Sequence, residues 1–312
     1  MPRSLLDGNI YRRIIEKKVA LDAHRPFDPI FLNRLKHELM IEYTYNSNAI
    51  EGSTLTLNET RLVLEEGITI GGKPVQDYLG AKNHPEAIKF IENIVYGKRS
   101  LTEEDILEVH KLVLHEIEQY AGVYRKSGVR IAGATFSPPR SEDVPELMKN
   151  LVEWLEKNLR EYSPIEQAAL FHYKFVYIHP FSDGNGRAAR LLMNSILMKN
   201  GYPFIINITQ IDRGKYLDAL QEADLGNYSP FINFIARSAE GVLDIYLNSL
   251  EEPKIITLSE ASKITPYSVN YLGYLARKGR IGAFKENKRW YVKEKDILNY
   301  ANEMKMRDNN KK

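Results

Sequence analysis

A mainly α-helical fold, with one small β-hairpin and a small winged-helix unit after it, is predicted by three features of the sequence. Apolar residues recur at spacings of three and four through long stretches that open on capping signatures. β-favouring residues gather in one short run ahead of a double proline, over residues 128–139. An acidic, proline-containing break at residues 251–254 sets off a final basic segment.

The first expected helix opens at Pro29 and runs through IFLNRLKHELMIEYTYNSNAI until Gly52 offers a break, which leaves Glu51 near its C-terminal end. Thr56 with Glu59 is a capping box for LNETRLVLEEG, and Thr102 with Asp105 a looser version ahead of EEDILEVHKLVLHEI. Three helical segments are thus expected before residue 120. In GVRIAGATFSPP, short β-favouring runs surround Gly133 and two prolines close the stretch, the pattern of a hairpin. Helices resume at VPELMKNLVEWLEKNL and after Ser163, Pro164 and Glu166, the second of them running to about Val176. Further helices are expected over 187–199, 215–222 and 230–250. Beyond the break, LSEASKIT, PYSVNYLGYLARKG and RIGAFKENKRWYV read as helix, turn, second helix and two-stranded wing, with a short helix at KDILNYA. The expected organisation is an N-terminal helical region over 1–100, a core over 101–250, a winged helix-turn-helix-like unit over 254–300 and a flexible tail over 301–312.

Composition narrows the chemistry. With 43% hydrophobic and 27% charged residues in 312, the chain is an ordinary globular protein with room for a substantial core and a smaller second unit. It has no cysteine, which excludes disulfides, thiolate zinc sites and cysteine nucleophiles, so any metal takes oxygen or nitrogen ligands. MPRSLLDGNIYRR lacks the apolar stretch of a secretory signal and no run of about 18 apolar residues exists, so a cytoplasmic location without membrane insertion is the expectation. The net charge of +2 gives no general affinity for nucleic acid.

The informative run is HPFSDGNGRAAR, from His179 to Arg190. Gly184 and Gly186 permit a backbone that turns successive N–H groups toward one point, and the helix beginning at residue 186 or 187 adds its positive end. Arg187 and Arg190, three apart, share a helix face on which each presents a forked donor set to phosphate oxygens. Asp183 beside a polyphosphate suits Mg²⁺, and His179 is the group here whose ordinary pKa, roughly 6.5, suits proton abstraction near neutrality. These are the parts of a nucleophilic displacement at phosphorus. The run is neither a dinucleotide fingerprint nor a P-loop.

His179 through Arg190 resembles the full signature of the Fic family, His-Pro-Phe-x-Asp/Glu-Gly-Asn-Gly-Arg-x-x-Arg, and the resemblance extends over about residues 30–240. It implies adenylylation: transfer of AMP from ATP to a Ser, Thr or Tyr hydroxyl of a protein, with release of pyrophosphate. On that model His179 takes the hydroxyl proton and Asp183 coordinates Mg²⁺. Gly184, Asn185 and Gly186 cradle phosphate, Arg187 binds the α/β region and Arg190 reaches the terminal phosphate. Phe181 packs inward, His172 supports the loop from the core, and Tyr216 either lines the adenine side or, as an aromatic in the helical segment KYLDAL, belongs to the core. Val129, Arg130, Ile131, Ala132, Gly133, Ala134 and Thr135 form the flap that aligns a target segment by strand pairing. Upstream, SNAIEG is similar to the family's inhibitory Ser/Thr-x-x-x-Glu-Gly/Asn pattern. Ser47 and Glu51 share a face ahead of Gly52, and Glu51 pairs with Arg190 in the place of the γ-phosphate. The resemblance also implies self-modification and a homodimer. It leaves open AMP removal supported by Glu51, UMP or phosphocholine transfer, and nucleotide hydrolysis.

From 254 to 300 the chain carries ten Lys or Arg against four Asp or Glu. The helix at 267–278 would be the recognition helix of a DNA-binding regulator, with Asn270 toward bases, Arg277, Lys278 and Arg280 on phosphates, and Trp290 in the wing core. Protein interaction or dimerisation is the alternative role, placed slightly ahead of sequence-specific DNA binding.

Overall fold

The computed structural model describes residues 5–131, 136–158, 161–203, 208–250, 254–286 and 288–309. The chain divides into two units, Met1–Leu247 and Asn248–Lys312. The first is built from α1 (Gly8–Asp22), α2 (Pro29–Ile50), α3 (Leu57–Glu66), α4 (Val75–Tyr96), α5 (Glu103–Val113), α6 (Val144–Lys157), α7 (Pro164–Ile178), α8 (Asn185–Lys199), α9 (Arg213–Asp224) and α10 (Ser229–Leu250).

At its centre lie α7 and α8, packed on each other, with α4 and α5 against α8 and α6 against α7. Eleven of fifteen residues in α7 and twelve of fifteen in α8 are buried, so both are enclosed nearly all round, and α8 buries Asn185, Arg187, Arg190, Asn194 and Ser195 among its apolar residues. Ser163 and Glu166 close the capping box that starts α7. Glu166 also accepts the Leu5 and Leu6 N–H groups at 2.8 and 3.2 Å, which ties the N-terminal segment to the same helix end. The boxes at Thr56–Glu59 and Thr102–Asp105 are formed as well, each typically worth about 1 kcal/mol.

Two helices of the first unit, α1 and α4, were not among those expected. In α1 only Ile10, Ile14 and Leu21 are buried in fifteen residues, too sparse a stripe to stand out, although Asp7 caps it on the Asn9 and Ile10 N–H groups. The interior of α4 contains Pro85 and Gly80 and buries Asn83 and His84, so composition argues against a helix that packing enforces. Of the expected hairpin, Ala132, Gly133, Ala134 and Thr135 lie outside the described residues, and the flanks 129–131 and 136–139 carry no strand.

The C-terminal unit holds all the strands among the described residues: β1 (Ile255–Thr257), β2 (Ala283–Glu286) and β3 (Arg289–Lys293), antiparallel in the order β1-β3-β2. With α11 (Leu258–Ile264), α12 (Val269–Arg277) and α13 (Glu294–Asn309) they enclose Leu258, Ala261, Leu272, Leu275, Val292 and Ile297, and Trp290 packs against this core. β1 pairs with the wing, an addition to the expected two strands. The expected flexible tail from residue 301 is corrected: α13 continues through Asn309. Asn270, Arg277, Lys278 and Arg280 are exposed. No helix among the described residues is long and apolar enough to cross a membrane.

Three core histidines are held neutral. Burial, and then the charges of Arg187 and Arg190, pull His84 down to about 3. Burial, then Arg190, takes His172 to about 3, and burial takes His110 to about 4. An unfolded chain titrates these rings near roughly 6.5. As pH falls below that value the unfolded state takes up protons that the native state refuses, so stability drops toward the depressed pKa values. The loss is up to about 1.4 kcal/mol per pH unit for each ring. Urea midpoints should therefore be level above pH ~7 and fall steeply from pH ~6.5 toward 4; equal midpoints at pH 7 and pH 5 would refute the neutral-core assignment.

Candidate active site

The turn between α7 and α8 is set by two left-handed residues. His179 ends α7 at φ 51° and ψ 58°, and Gly184 precedes α8 at φ 72°. For a non-glycine residue the first conformation is strained and persists because its surroundings fix it. A Cβ on Gly184 would also stand 3.0 Å from Leu114 and 3.3 Å from His110 Nε2. Between these residues the loop is braced from inside. The Asn185 amide accepts from the Phe181 N–H at 3.0 Å and donates to the Phe181 carbonyl at 2.9 Å. Phe181 is fully buried and stacks on His110 at 3.6 Å between centroids. His110 Nδ1 accepts from the Gly122 N–H, so Nε2 carries the proton and donates to the Asp183 carbonyl at 2.9 Å.

His179 is poised as a base. Its Nδ1 donates to the Val176 carbonyl at 3.2 Å, which leaves Nε2 as the bare nitrogen. Burial lowers its pKa below the ordinary imidazole value; the Val176 hydrogen bond opposes this and the Arg125 charge adds to it.

The positive end of α8 lies beside it. Arg190 is 1% exposed, donating through Nε to Ser47 Oγ at 3.0 Å and through Nη2 to the Ser47 carbonyl at 2.8 Å and Glu51 Oε1 at 2.7 Å. Its Nη1 has no partner among the described residues. Burial pulls the Arg190 pKa down, but the Glu51 charge and neighbouring groups more than offset this. A Cβ placed on Gly186 would collide with Glu51 Oε1, so this carboxylate sits in the first turn of α8, where the helix N–H groups point outward. Glu51 is the C-cap of α2, and Gly52 after it takes φ 101°. Arg187 donates to Asp183 Oδ2 at 3.0 Å and keeps a buried Nε without a partner among the described residues.

Glu51, His179, Asp183, Gly184, Asn185 and Gly186 line one cavity of about 350 Å³. Its other walls are Tyr173, Tyr177, Tyr216, Leu217 and Leu220, with Arg130 and Ile131 also contributing. The cavity thus joins an anion end to an aromatic, apolar end suited to a planar base. Among the described residues no three His, Asp or Glu side chains come close enough to cage a metal. A single, largely exposed carboxylate at Asp183 beside an anion cradle nonetheless fits Mg²⁺, which takes one or two carboxylates along with phosphate oxygens and water.

The structure brings His179, Asp183, Gly184, Asn185, Gly186, Arg187, Arg190, Tyr216, Ser47 and Glu51 together from four helices. Two details refine the expectation. The Asn185 side chain is spent on the loop, so only its backbone can face an anion. Tyr216 is 4% exposed, with its hydroxyl at 2.9 Å from His172 Nε2, so it braces the core as well as lining the cavity. His110, Arg125 and Arg213 were not singled out from sequence, and nothing local marks them: each reaches the site from a separate segment. Arg213 Nε donates to the Ile50 carbonyl at 2.9 Å, holding the end of α2.

Residues 100–197 match the family model described as Fic/DOC, and residues 255–305 match a helix-turn-helix domain model. The protein adenylyltransferase Fic of Nematostella vectensis is 41% identical over 249 residues, covering 78% of this chain and 57% of that protein. The Aedes aegypti adenylyltransferase of the same name is 38% identical over 79% of this chain and 49% of its own length, so the chain spans about half the length of these curated relatives. A Fic-domain-containing signalling protein from Bacteroides thetaiotaomicron superposes with a TM-score of 0.70 at 32% identity, over 78% of this chain and 96% of that one. Residues 134–508 of Caenorhabditis elegans Fic-1 give 0.71 at 32%, over 78% and 72%. With the signature loop, the buried arginine and the glutamate set on it all in one cavity, the chain belongs to the Fic family.

Proposed function

We propose that this chain transfers AMP from ATP to a hydroxyl group of a protein and that Glu51 holds it in an inhibited state. One observation carries the reading: a carboxylate from α2 lies on Arg190 in the first turn of α8, in the cavity that the signature histidine lines. An anion cradle filled by the chain's own anion is a site awaiting a stronger one. The relatives named protein adenylyltransferases support the choice of reaction.

In this reaction the acceptor hydroxyl oxygen forms a bond to the α-phosphorus and the bond from that phosphorus to the β-bridging oxygen breaks, so pyrophosphate leaves. His179 Nε2 takes the hydroxyl proton. Gly184 to Gly186 and the start of α8 offer backbone N–H groups to the phosphates, Arg187 binds the α/β region and Arg190 the γ-phosphate once Glu51 withdraws. Mg²⁺ held at Asp183 with the phosphates would neutralise their charge. Tyr173, Tyr177 and Leu217 enclose the base. Arg130 and Ile131 place the loop after α5 at the cavity edge, where an acceptor strand would lie. In this assignment residues 1–100 are regulatory, 101–250 catalytic and 254–300 a separate unit, acting in the cytoplasm as a homodimer.

Three outcomes test the reading. His179→Ala should keep the fold and much of the ATP affinity while adduct formation falls by roughly 10² to 10⁴, measured by intact mass; near-normal labelling would exclude His179 as the base. Glu51→Gly should raise AMP transfer, seen as self-modification, with rate moving more than affinity, because misplacing the reacting phosphate costs roughly 10². Glu51→Gln, which keeps volume and removes charge, separates the causes: activation of both points to charge, of Gly alone to obstruction or helix loosening, and of neither sinks the inhibitory role. In the activated enzyme the acid limb of the pH–rate profile should lie below the ordinary imidazole value, since a depressed pKa keeps His179 unprotonated further into acid. An acid limb at or above pH ~6.5 would contradict the buried-base geometry.

A further inference from the structure

Arg125 is 4% exposed and forms no ion pair among the described residues. Its donors instead fan over four main-chain carbonyls. Nε donates to His179 O at 2.8 Å, Nη1 to Ser127 O at 3.0 Å, and Nη2 to Pro139 O at 2.6 Å and, longer, to Ile178 O at 3.4 Å. Its own N–H donates to the Pro180 carbonyl at 2.9 Å. One side chain therefore grips Ser127, Pro139 and both peptide groups flanking His179. Near Pro139, Phe136 stacks on Tyr177, two residues before His179, with centroids 4.6 Å apart and planes 14° apart.

Only a guanidinium can do this, because it offers five donors in one rigid plane whereas an ammonium is a single point with three. A buried charge without a counter-ion is costly unless its hydrogen bonds are complete. Here they are turned on the backbone of two segments that must keep a fixed separation. The His179 conformation at φ 51° is strained for a residue with a Cβ, and the Arg125 bond to its carbonyl is among the contacts that hold it.

We propose that Arg125 is a positioning residue that clamps segments 127–131 and 136–139 to the His179 turn, so that an acceptor lying along these segments and the base meet at a fixed distance. The proposal rests on the AMP-transfer reading for its consequence in rate, and on the clamp alone for its consequence in motion. The same guanidinium also stands among the groups that keep His179 neutral, so charge and geometry must be separated. Arg125→Lys keeps the charge and loses the fork; Arg125→Met loses both.

The experiment places each substitution in the Glu51→Gly background with Mg²⁺ and ATP, and reads self-adduct by intact mass, ATP affinity by calorimetry, the His179 titration by NMR and backbone exchange by mass spectrometry. For Arg125→Lys the expected result is adduct formation slowed about 10-fold or more with ATP affinity within about threefold, since ATP is held by the α8 cradle. The His179 titration should stay in place in the Lys variant and move upward in the Met variant. Exchange should quicken in 126–131, 136–139 and 176–182 and nowhere else. Parental labelling by a folded Arg125→Lys protein would overturn the proposal, as would faster exchange spread evenly over the helices, which marks general destabilisation. Should the Glu51→Gly parent form no adduct, the AMP-transfer reading fails, and the exchange pattern still decides whether the clamp exists.

Discussion

Arg190 sets its guanidinium at the centre of the helical core, and much of this molecule's site is arranged around the anion beside it. At 1% exposure it cannot rely on water, and Ser47 supplies only neutral acceptors, which leaves a carboxylate or phosphate to supply the balancing charge. The Glu51 oxygen at 2.7 Å does so here. This requirement fixes α2 against the N-terminal end of α8 although 139 residues separate the partners in sequence. It also explains why the last two turns of α2 bury Ser47, a polar residue that would otherwise be a poor choice for an inward face; Asn48 beside it donates instead to the Thr44 and Gly80 carbonyls.

The second constraint is the turn that presents His179. Two left-handed residues make the chain reverse within a few positions, and the carbonyls of His179, Pro180, Phe181 and Asp183 each have a partner. Asn185 closes on both peptide groups of Phe181, His110 meets the Asp183 carbonyl, and Arg125 meets the carbonyl of His179. A loop whose carbonyls are satisfied in this way keeps its shape while the first N–H groups of α8 stay free at the helix end that lines the cavity. Rigidity in the turn and openness at the helix start are two results of one hydrogen-bond pattern.

What could be read from the sequence follows from how locally each feature is written. Capping boxes occupy four consecutive residues, and those at Thr56, Thr102 and Ser163 are all formed. The anion cradle is a contiguous run, so its glycines and arginines declare their chemistry together. Helix α4 was hidden because its purpose is not local: Asn83 donates to the Val113 and His115 carbonyls and His84 sits under the arginines, polar positions that make sense only once α5 and α8 are beside them. His110, Arg125 and Arg213 escaped notice for the same reason. Each reaches backbone atoms far along the chain, and backbone partners leave no sequence signature.

The contact between Glu51 and Arg190 is unequal. Arg190 is sealed, whereas the Glu51 side chain is 38% exposed and hangs from the C-cap of α2, so it can leave without opening the core. A carboxylate at a helix C-terminus meets the negative end of its own macrodipole, and its position is favoured only by the positive start of α8, by Arg190 and by the grip of Arg213 on the Ile50 carbonyl. A polyphosphate offers the same α8 terminus and the same arginine a larger charge. The two anions therefore compete for one set of donors, and linkage makes the competition reciprocal: whatever loosens the end of α2 strengthens phosphate binding, and bound phosphate loosens the end of α2 by the same free energy. A change in phosphate binding thus need not start at the phosphate; it can act wherever the end of α2 is held, at Asn46 on the Gln210 N–H or, in the cavity wall, at Arg213 on the Ile50 carbonyl.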